Sequence, residues 1–265
     1  MIAAPVEMDR RSGVGPNTVE AAPRLSVAVA RLGFWSAALA AVLTVMWTIA
    51  AVVTAIAAPP ASWLGIDEYA ASFDSRQMLM LVPVLLLAPT FVVVMGCVQG
   101  YAAPRNKPWA LLGLVFAAMY ATIASTTYVV QLTVVRQHLL IGQTSGLDLL
   151  VSVNPGSVAW ALETFGYFFM DLSLVLAALV FGRRGLQRWV RRLFLANGLG
   201  LPAAAVYVYT MDALHPLALA ALVVWCLTFP VGMGLLAALF RSAERAAIGA
   251  RAPVGTYENG RFAWQ

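Results

Sequence analysis

Six apolar runs, at about 33–57, 78–101, 109–135, 158–181, 194–211 and 216–240, constrain this chain more than anything else in it. Each is close to the roughly 20 residues that an α-helix needs to cross a hydrocarbon layer. A soluble fold has no place for all six. Of the 265 residues 61% are hydrophobic and 11% charged, against about 45–50% and about 25% in soluble domains. The expected fold class is therefore all-α: a polytopic transmembrane helix bundle of six spans, with the lipid bilayer as its principal partner.

Proline and glycine punctuate the runs. Pro59-Pro60 ends the first, since proline cannot continue a helix. The second carries Pro83 and Pro89, and the third starts just after Pro108. Before the fourth, Asn154-Pro155-Gly156-Ser157 reads as a start signal with Asn154 as N-cap. The fifth is the shortest, and Asn197-Gly198-Leu199-Gly200-Leu201-Pro202 should weaken or bend it. The sixth contains Pro230, Gly232 and Gly234. Three spans plus three admits duplicated halves, but only a loose proline and glycine correspondence links spans two and five, and no repeat follows.

Charge placement orients the bundle. Fifteen of the seventeen Lys and Arg fall in the N-terminal tail, the second and fourth connections and the C-terminal tail. Arg76 and Arg136 fall on the opposite side, beside Asp67, Glu68, Asp74, Asp148 and Asp212. The positive-inside bias predicts both termini in the cytoplasm. A net charge of +5 distributed this way marks topology, with anionic-lipid contact through the basic connections, and no stretch builds a soluble nucleic-acid-binding face. Ala55-Ile56-Ala57 resembles a signal-peptide cleavage site, but the preceding run exceeds the roughly 7–15 residues of a signal h-region.

Residues 1–32 and 241–265 read as cytoplasmic tails, the first without ordered structure. Two connections on the acidic side exceed what linkage requires. In 61–76, Ile66, Tyr69 and Phe73 share a helical face, the pattern of a short interfacial helix. In 137–153, Leu147, Leu149, Leu150 and Val151 suit a second such helix or a re-entrant dip. Either connection is a cap over the bundle or a lid over a cavity.

Chemistry concentrates on the fourth span. Glu163, Tyr167 and Asp171 follow one another at four-residue steps, which places them on one broad helical stripe. The two acids are about 12 Å apart along the axis at 1.5 Å per residue. A carboxylate near mid-span costs on the order of 2.5–3.5 kcal/mol on insertion scales, so Asp171 should face the bundle or a wet cavity. It is either a proton- or cation-handling group or a protonated, hydrogen-bonded acid that locks helices together. On the third span Tyr120, Thr127 and Gln131 share a face, with Ser125, Thr126 and Tyr128 nearby. Such hydroxyls line a hydrated path or simply join helices. Arg136 just beyond them is placed to pair with Glu163 or to snorkel to water.

The remaining polar residues carry less. His138 and His215 make no metal set, and Cys97 and Cys226 lie inside apolar runs as small buried hydrophobes. Gly198-Leu199-Gly200 and Gly232-Met233-Gly234 lack the strand–turn–helix setting of a nucleotide loop and permit close helix approach instead. No cofactor, metal or nucleophile–base arrangement is expected.

The segments Tyr128-Val-Val-Gln-Leu-Thr-Val-Val-Arg136, Asn154-Pro155-Gly156 and Ala161-Leu-Glu-Thr-Phe-Gly-Tyr-Phe-Phe-Met-Asp171 resemble a group of bacterial six-helix membrane proteins without an assigned role. The resemblance covers spans three and four, about a third of the chain. It implies a bacterial cytoplasmic membrane and supplies no catalytic or binding residue. The leading functional expectation is a small-solute or ion transporter or channel-like bundle with Glu163 and Asp171 as its sensitive groups. A non-catalytic sensory or partner-binding protein comes second and a membrane-embedded enzyme third.

Overall fold

A computed structural model describes residues 25–57, 63–212 and 215–250, together with the backbone of a short antiparallel ladder pairing Thr256–Glu258 with Arg261–Ala263. The proline pair at 59–60, residues 1–24 and the side chains of residues 251–265 lie outside the described residues.

Among the described residues nine α-helices follow in chain order: α1 (Val27–Ala57), α2 (Ile66–Ala71), α3 (Leu81–Tyr101), α4 (Lys107–Val130), α5 (Arg136–Leu140), α6 (Val158–Ala178), α7 (Gly185–Asn197), α8 (Gly200–Thr210) and α9 (Pro216–Gly249). A π-helical turn, Gln131–Val135, joins α4 to α5 without interrupting the rod. α7 and α8 are two halves of one crossing, parted at Gly198 and Leu199. Counted this way, six helices among the described residues are long and apolar enough to cross a membrane. The fold is an all-α bundle of six such helices, which fits a multi-pass membrane protein.

Several boundaries differ from the sequence reading. α1 begins at Val27, where the Ser26 hydroxyl accepts the Val29 N–H at 3.2 Å, so the tail expected through residue 32 ends earlier. Ser157, not Asn154, caps α6 by accepting the Trp160 N–H at 2.9 Å. Asn154 instead accepts the Gly156 N–H and donates to the Asp148 carbonyl, closing a turn before the helix. The fifth crossing starts at Gly185 rather than near Phe194. Its first half is amphipathic: Val190 and Phe194 are buried, while Arg188 and Arg192 lie over the Trp189 ring at 5.4 and 5.2 Å. Arginines on one face hide a helix from a search for purely apolar runs.

The crossings form a closed ring, α1–α3–α4–α6–α7–α9, with α9 returning to pack on α1. Gly33 permits that closure. A Cβ there would meet the Phe240 ring at 2.7 Å, and Phe240 is fully buried. At the same end Glu244, almost wholly enclosed, accepts Arg31 at 2.8 Å and Arg241 at 2.7 Å, tying the start of α1 to the end of α9. α4 and α6 are equally intimate: a Cβ on Gly113 would lie 3.2 Å from the Ser173 carbonyl, and the Ser173 hydroxyl donates to the Gly113 carbonyl at 2.7 Å. Small residues at crossing points let backbones approach where lipid offers no hydrophobic drive.

The two ends of the bundle differ in kind. The start of α1, the 103–106 connection, the 182–184 connection and the end of α9 gather at a basic end around one cavity. The opposite, acidic end is roofed by the two long connections. Met78, Val135, Leu139, Leu147 and Val151 form a second apolar cluster there, against which Trp63, Ile66, Tyr69 and Phe73 pack. The face expected of Ile66, Tyr69 and Phe73 is thus turned onto the roof.

The ring closure is testable at two glycines of the same size and different surroundings. Gly33→Ala should destabilise the bundle by about 1–3 kcal/mol through overpacking against Phe240. Gly234→Ala, with open space around its Cβ, should leave detergent-solubilised thermal stability unchanged.

Candidate functional site

The polar residues of α4 and α6 meet across the close contact set by Gly113 and Gly166, whose Cβ would lie 3.3 Å from Ile123. Tyr128 on α4 donates to Glu163 Oε1 at 2.9 Å. Its hydroxyl also lies 3.0 Å from the Tyr167 hydroxyl. Tyr128 has one proton, and Glu163 takes it, so Tyr167 is the donor in the second bond. The result is a directional line, Tyr167 to Tyr128 to Glu163, in which the buried Tyr128 links a half-buried tyrosine and a half-buried acid.

Tyr120 lies two turns from Tyr128 on the same stripe. It is fully buried, its ring 5.8 Å from that of Tyr167, and its hydroxyl has no hydrogen-bond partner among the described residues. That hydroxyl is within electrostatic range of both Glu163 and Asp171. On its far side Tyr167 meets Trp225 of α9 edge-on at 5.6 Å, and Trp225 Nε1 is likewise buried without a partner. Trp47 and Phe229 complete this aromatic wall.

Asp171 is separate from the tyrosine line. It is 6% exposed and faces the break between α7 and α8: a Cβ on Gly200 would lie 1.7 Å from Asp171 Oδ2. Glycine at 200 is therefore a steric requirement of the carboxyl. The first turn of α8 starts there, the positive end of a helix dipole and a favourable neighbour for an acid oxygen. Asn197, also buried, donates to the Leu193 carbonyl at 2.7 Å and leaves its own Oδ1 unpartnered.

The other stripe residues serve packing. Thr127 donates back to the Ile123 carbonyl at 3.0 Å. Gln131, 1% exposed, holds the roof: its Nε2 donates to the Leu150 carbonyl and its Oε1 accepts the Ser152 N–H at 3.1 Å. Arg136 is exposed, and among the described residues it forms no ion pair with Glu163. Tyr128 is the α4 residue level with Glu163, and Arg136, eight residues later, sits about 12 Å further along the axis.

Glu163, Tyr167, Tyr120 and Asp171 thus fall in one region of the α4–α6–α9 interior, whereas Gln131 and Arg136 belong to the acidic end. Sequence reasoning left Tyr128 among the neighbours, read Gly200 only as a point of close helix approach, and omitted Trp225. Tyr128 was detectable: Tyr120 and Tyr128 are eight residues apart, the spacing of Glu163 and Asp171. Trp225, and Asp171 as the neighbour of Gly200, were not, since only packing brings α8 and α9 against α6. His138 and His215 stay apart from this region, and no group of three His, Cys, Asp or Glu suited to a metal occurs among the described residues. Cys97 and Cys226 are both free, the first buried and the second half-buried.

No known protein family, curated protein or solved structure matches the chain.

Two substitutions probe the site. Gly200→Ala should lower stability by about 1–3 kcal/mol, and Asp171→Ala in the same chain should restore much of that loss; a double-mutant cycle on thermal unfolding measures the coupling. Gln131→Leu should leave the Leu150 carbonyl and Ser152 N–H unpaired, at about 1–3 kcal/mol. Its signature is faster amide exchange over residues 147–152 with α9 unaffected.

Proposed function

We propose that this protein is a proton-handling membrane bundle of the ion-transporter or channel-like class, with Glu163, Tyr128, Tyr167 and Asp171 as its working groups. One observation carries the reading: the hydrogen-bonded line Tyr167–Tyr128–Glu163 inside a span, with a buried acid about one helical turn beyond Tyr167. A structural acid needs a single satisfied contact. Here three protonatable groups are connected in series, and the unpartnered Tyr120 hydroxyl stands beside them.

The packing supports a small transported species. A basic-end cavity and a shallow apolar groove between α1 and α9 are both lined without Glu163, Tyr167 or Asp171. A proton moving along hydroxyls and carboxyls needs no solute-sized passage, whereas an organic solute does. The proton is therefore the better-supported cargo of this conformation.

In the proposed setting the chain lies in a bacterial cytoplasmic membrane with both termini inside. The charge bias and the resemblance of spans three and four support this arrangement. Glu163 would then face the external half and Asp171 the middle. The runner-up, a non-catalytic sensory or partner-binding protein, is favoured by a different observation, the arginine-lined cavity at the basic end.

Proteoliposomes loaded with a pH-sensitive dye test the proposal. The wild-type protein should dissipate an imposed pH gradient faster than protein-free vesicles. Glu163→Gln and Asp171→Asn should each cut that flux at least about tenfold while remaining helical and monodisperse, because each removes an intramembrane ionisable group. Tyr128→Phe should fall between. Wild-type flux equal to that of empty vesicles, or full flux in Glu163→Gln, sinks the idea.

A further inference from the structure

The cavity at the basic end encloses about 840 Å³ between the start of α1, the ends of α6 and α9, and the beginning of α7. One wall is cationic. Arg105, Arg183 and Arg191 line it, no acid does, and none of the three arginines is in an ion pair among the described residues. The nearest enclosed acid on α9, Glu244, is already held by Arg31 and Arg241.

The polar floor is built rather than incidental. Arg191 is half-buried and donates to the carbonyls of Ala178, the last residue of α6, and of Phe181 just after it, at 3.4 Å each. Gln187 accepts the Gly182 N–H at 2.6 Å and donates to the Tyr101 hydroxyl at 2.8 Å. Tyr101 accepts in that bond, so its own proton is available to a ligand in the cavity. The first turn of α7 opens at Gly185, adding a helix-dipole positive end to the same wall.

The opposite wall is apolar and smooth. Ala243, Ala246, Ala247 and Ala250 of α9 face it with Leu25. A cavity with a guanidinium-rich wall and an alanine wall, at the end of a membrane bundle, matches an amphiphile with an anionic head.

We propose that this cavity is a binding site for a phosphate-type oxyanion, with Arg105 and Arg183 as the charged contacts and Tyr101 as a hydroxyl donor. Arginine suits this chemistry because its planar fork pairs with two phosphate oxygens at once. The alanine wall favours an anionic phospholipid as the source, its headgroup on the arginines and its glycerol region along α9. A free phosphate would use the arginine wall alone. The site is independent of the proton line, being at the other end of the bundle.

The full-length protein in nanodiscs of zwitterionic lipid, doped with phosphatidylglycerol, gives the main readout: bound anionic lipid by native mass spectrometry. Arg105→Gln with Arg183→Gln should weaken retention at least about tenfold. Arg188→Gln with Arg192→Gln removes the same charge outside the cavity and should change it less than about twofold. Ala247→Trp, which keeps every charge, should block the lipid by filling the cavity. In a second arm, inorganic phosphate is titrated against thermal stability at constant ionic strength. Stabilisation by phosphate that survives Ala247→Trp and is lost in the Arg105/Arg183 variant assigns the site to a free oxyanion. Retention in the Arg105/Arg183 variant, or equal loss in both arginine pairs, overturns the proposal.

Discussion

Hydrocarbon offers no hydrogen-bond partner, and that single property of the solvent organises the whole chain. Each crossing is helical because a helix satisfies its backbone internally. Where the helix breaks, at Gly198 and Leu199, the break faces the interior and the Asp171 carboxyl rather than lipid. The same rule places the acids of α6 on its inner stripe and returns the Thr44, Thr48, Thr90 and Thr127 hydroxyls to the carbonyl one turn earlier. Most polar groups bond inward or sit at the ends; exceptions among the described residues include the buried Tyr120 hydroxyl and Trp225 Nε1.

Helix association then depends on close approach. The α4–α6 pair meets at Gly113 and Gly166, and the α1–α9 pair at Gly33. Both contacts bring polar side chains into register as a by-product of packing. At α4–α6 the product is the Tyr167–Tyr128–Glu163 line; at α1–α9 it is the Arg31–Glu244–Arg241 clasp. The two acidic groups illustrate how environment separates chemically similar residues. Glu244 is matched by two guanidinium groups and is fully occupied in holding helices. Glu163 is matched only by the Tyr128 hydroxyl, which itself accepts from Tyr167.

The bundle is also polar along its axis. One end is roofed by a small apolar cluster fastened through Gln131; the other opens into an arginine-lined cavity. The proton reading and the oxyanion reading concern different residues and stand or fall separately.

The sequence by itself determined the number of crossings, the clustering of basic charge and the stripe of α6. Length, hydropathy and a four-residue period are local properties, and lipid enforces them directly. It also marked Gly198 to Pro202 as a weak point, because glycine and proline act on the backbone wherever they occur. It misplaced the start of the fifth crossing, since the arginines of α7 interrupt the apolar run although Val190 and Phe194 point inward. It left Arg136 either to pair with Glu163 or to snorkel to water, judging the two to be at similar height, whereas Tyr128, eight residues earlier, is the residue level with Glu163. Only the tertiary structure decided that Tyr128 is the partner of Glu163, that Gly200 makes room for Asp171, and that Arg105, Arg183 and Arg191 share one cavity. Those outcomes depend on how separate helices rotate against one another, and periodicity along a single helix carries no information about that rotation.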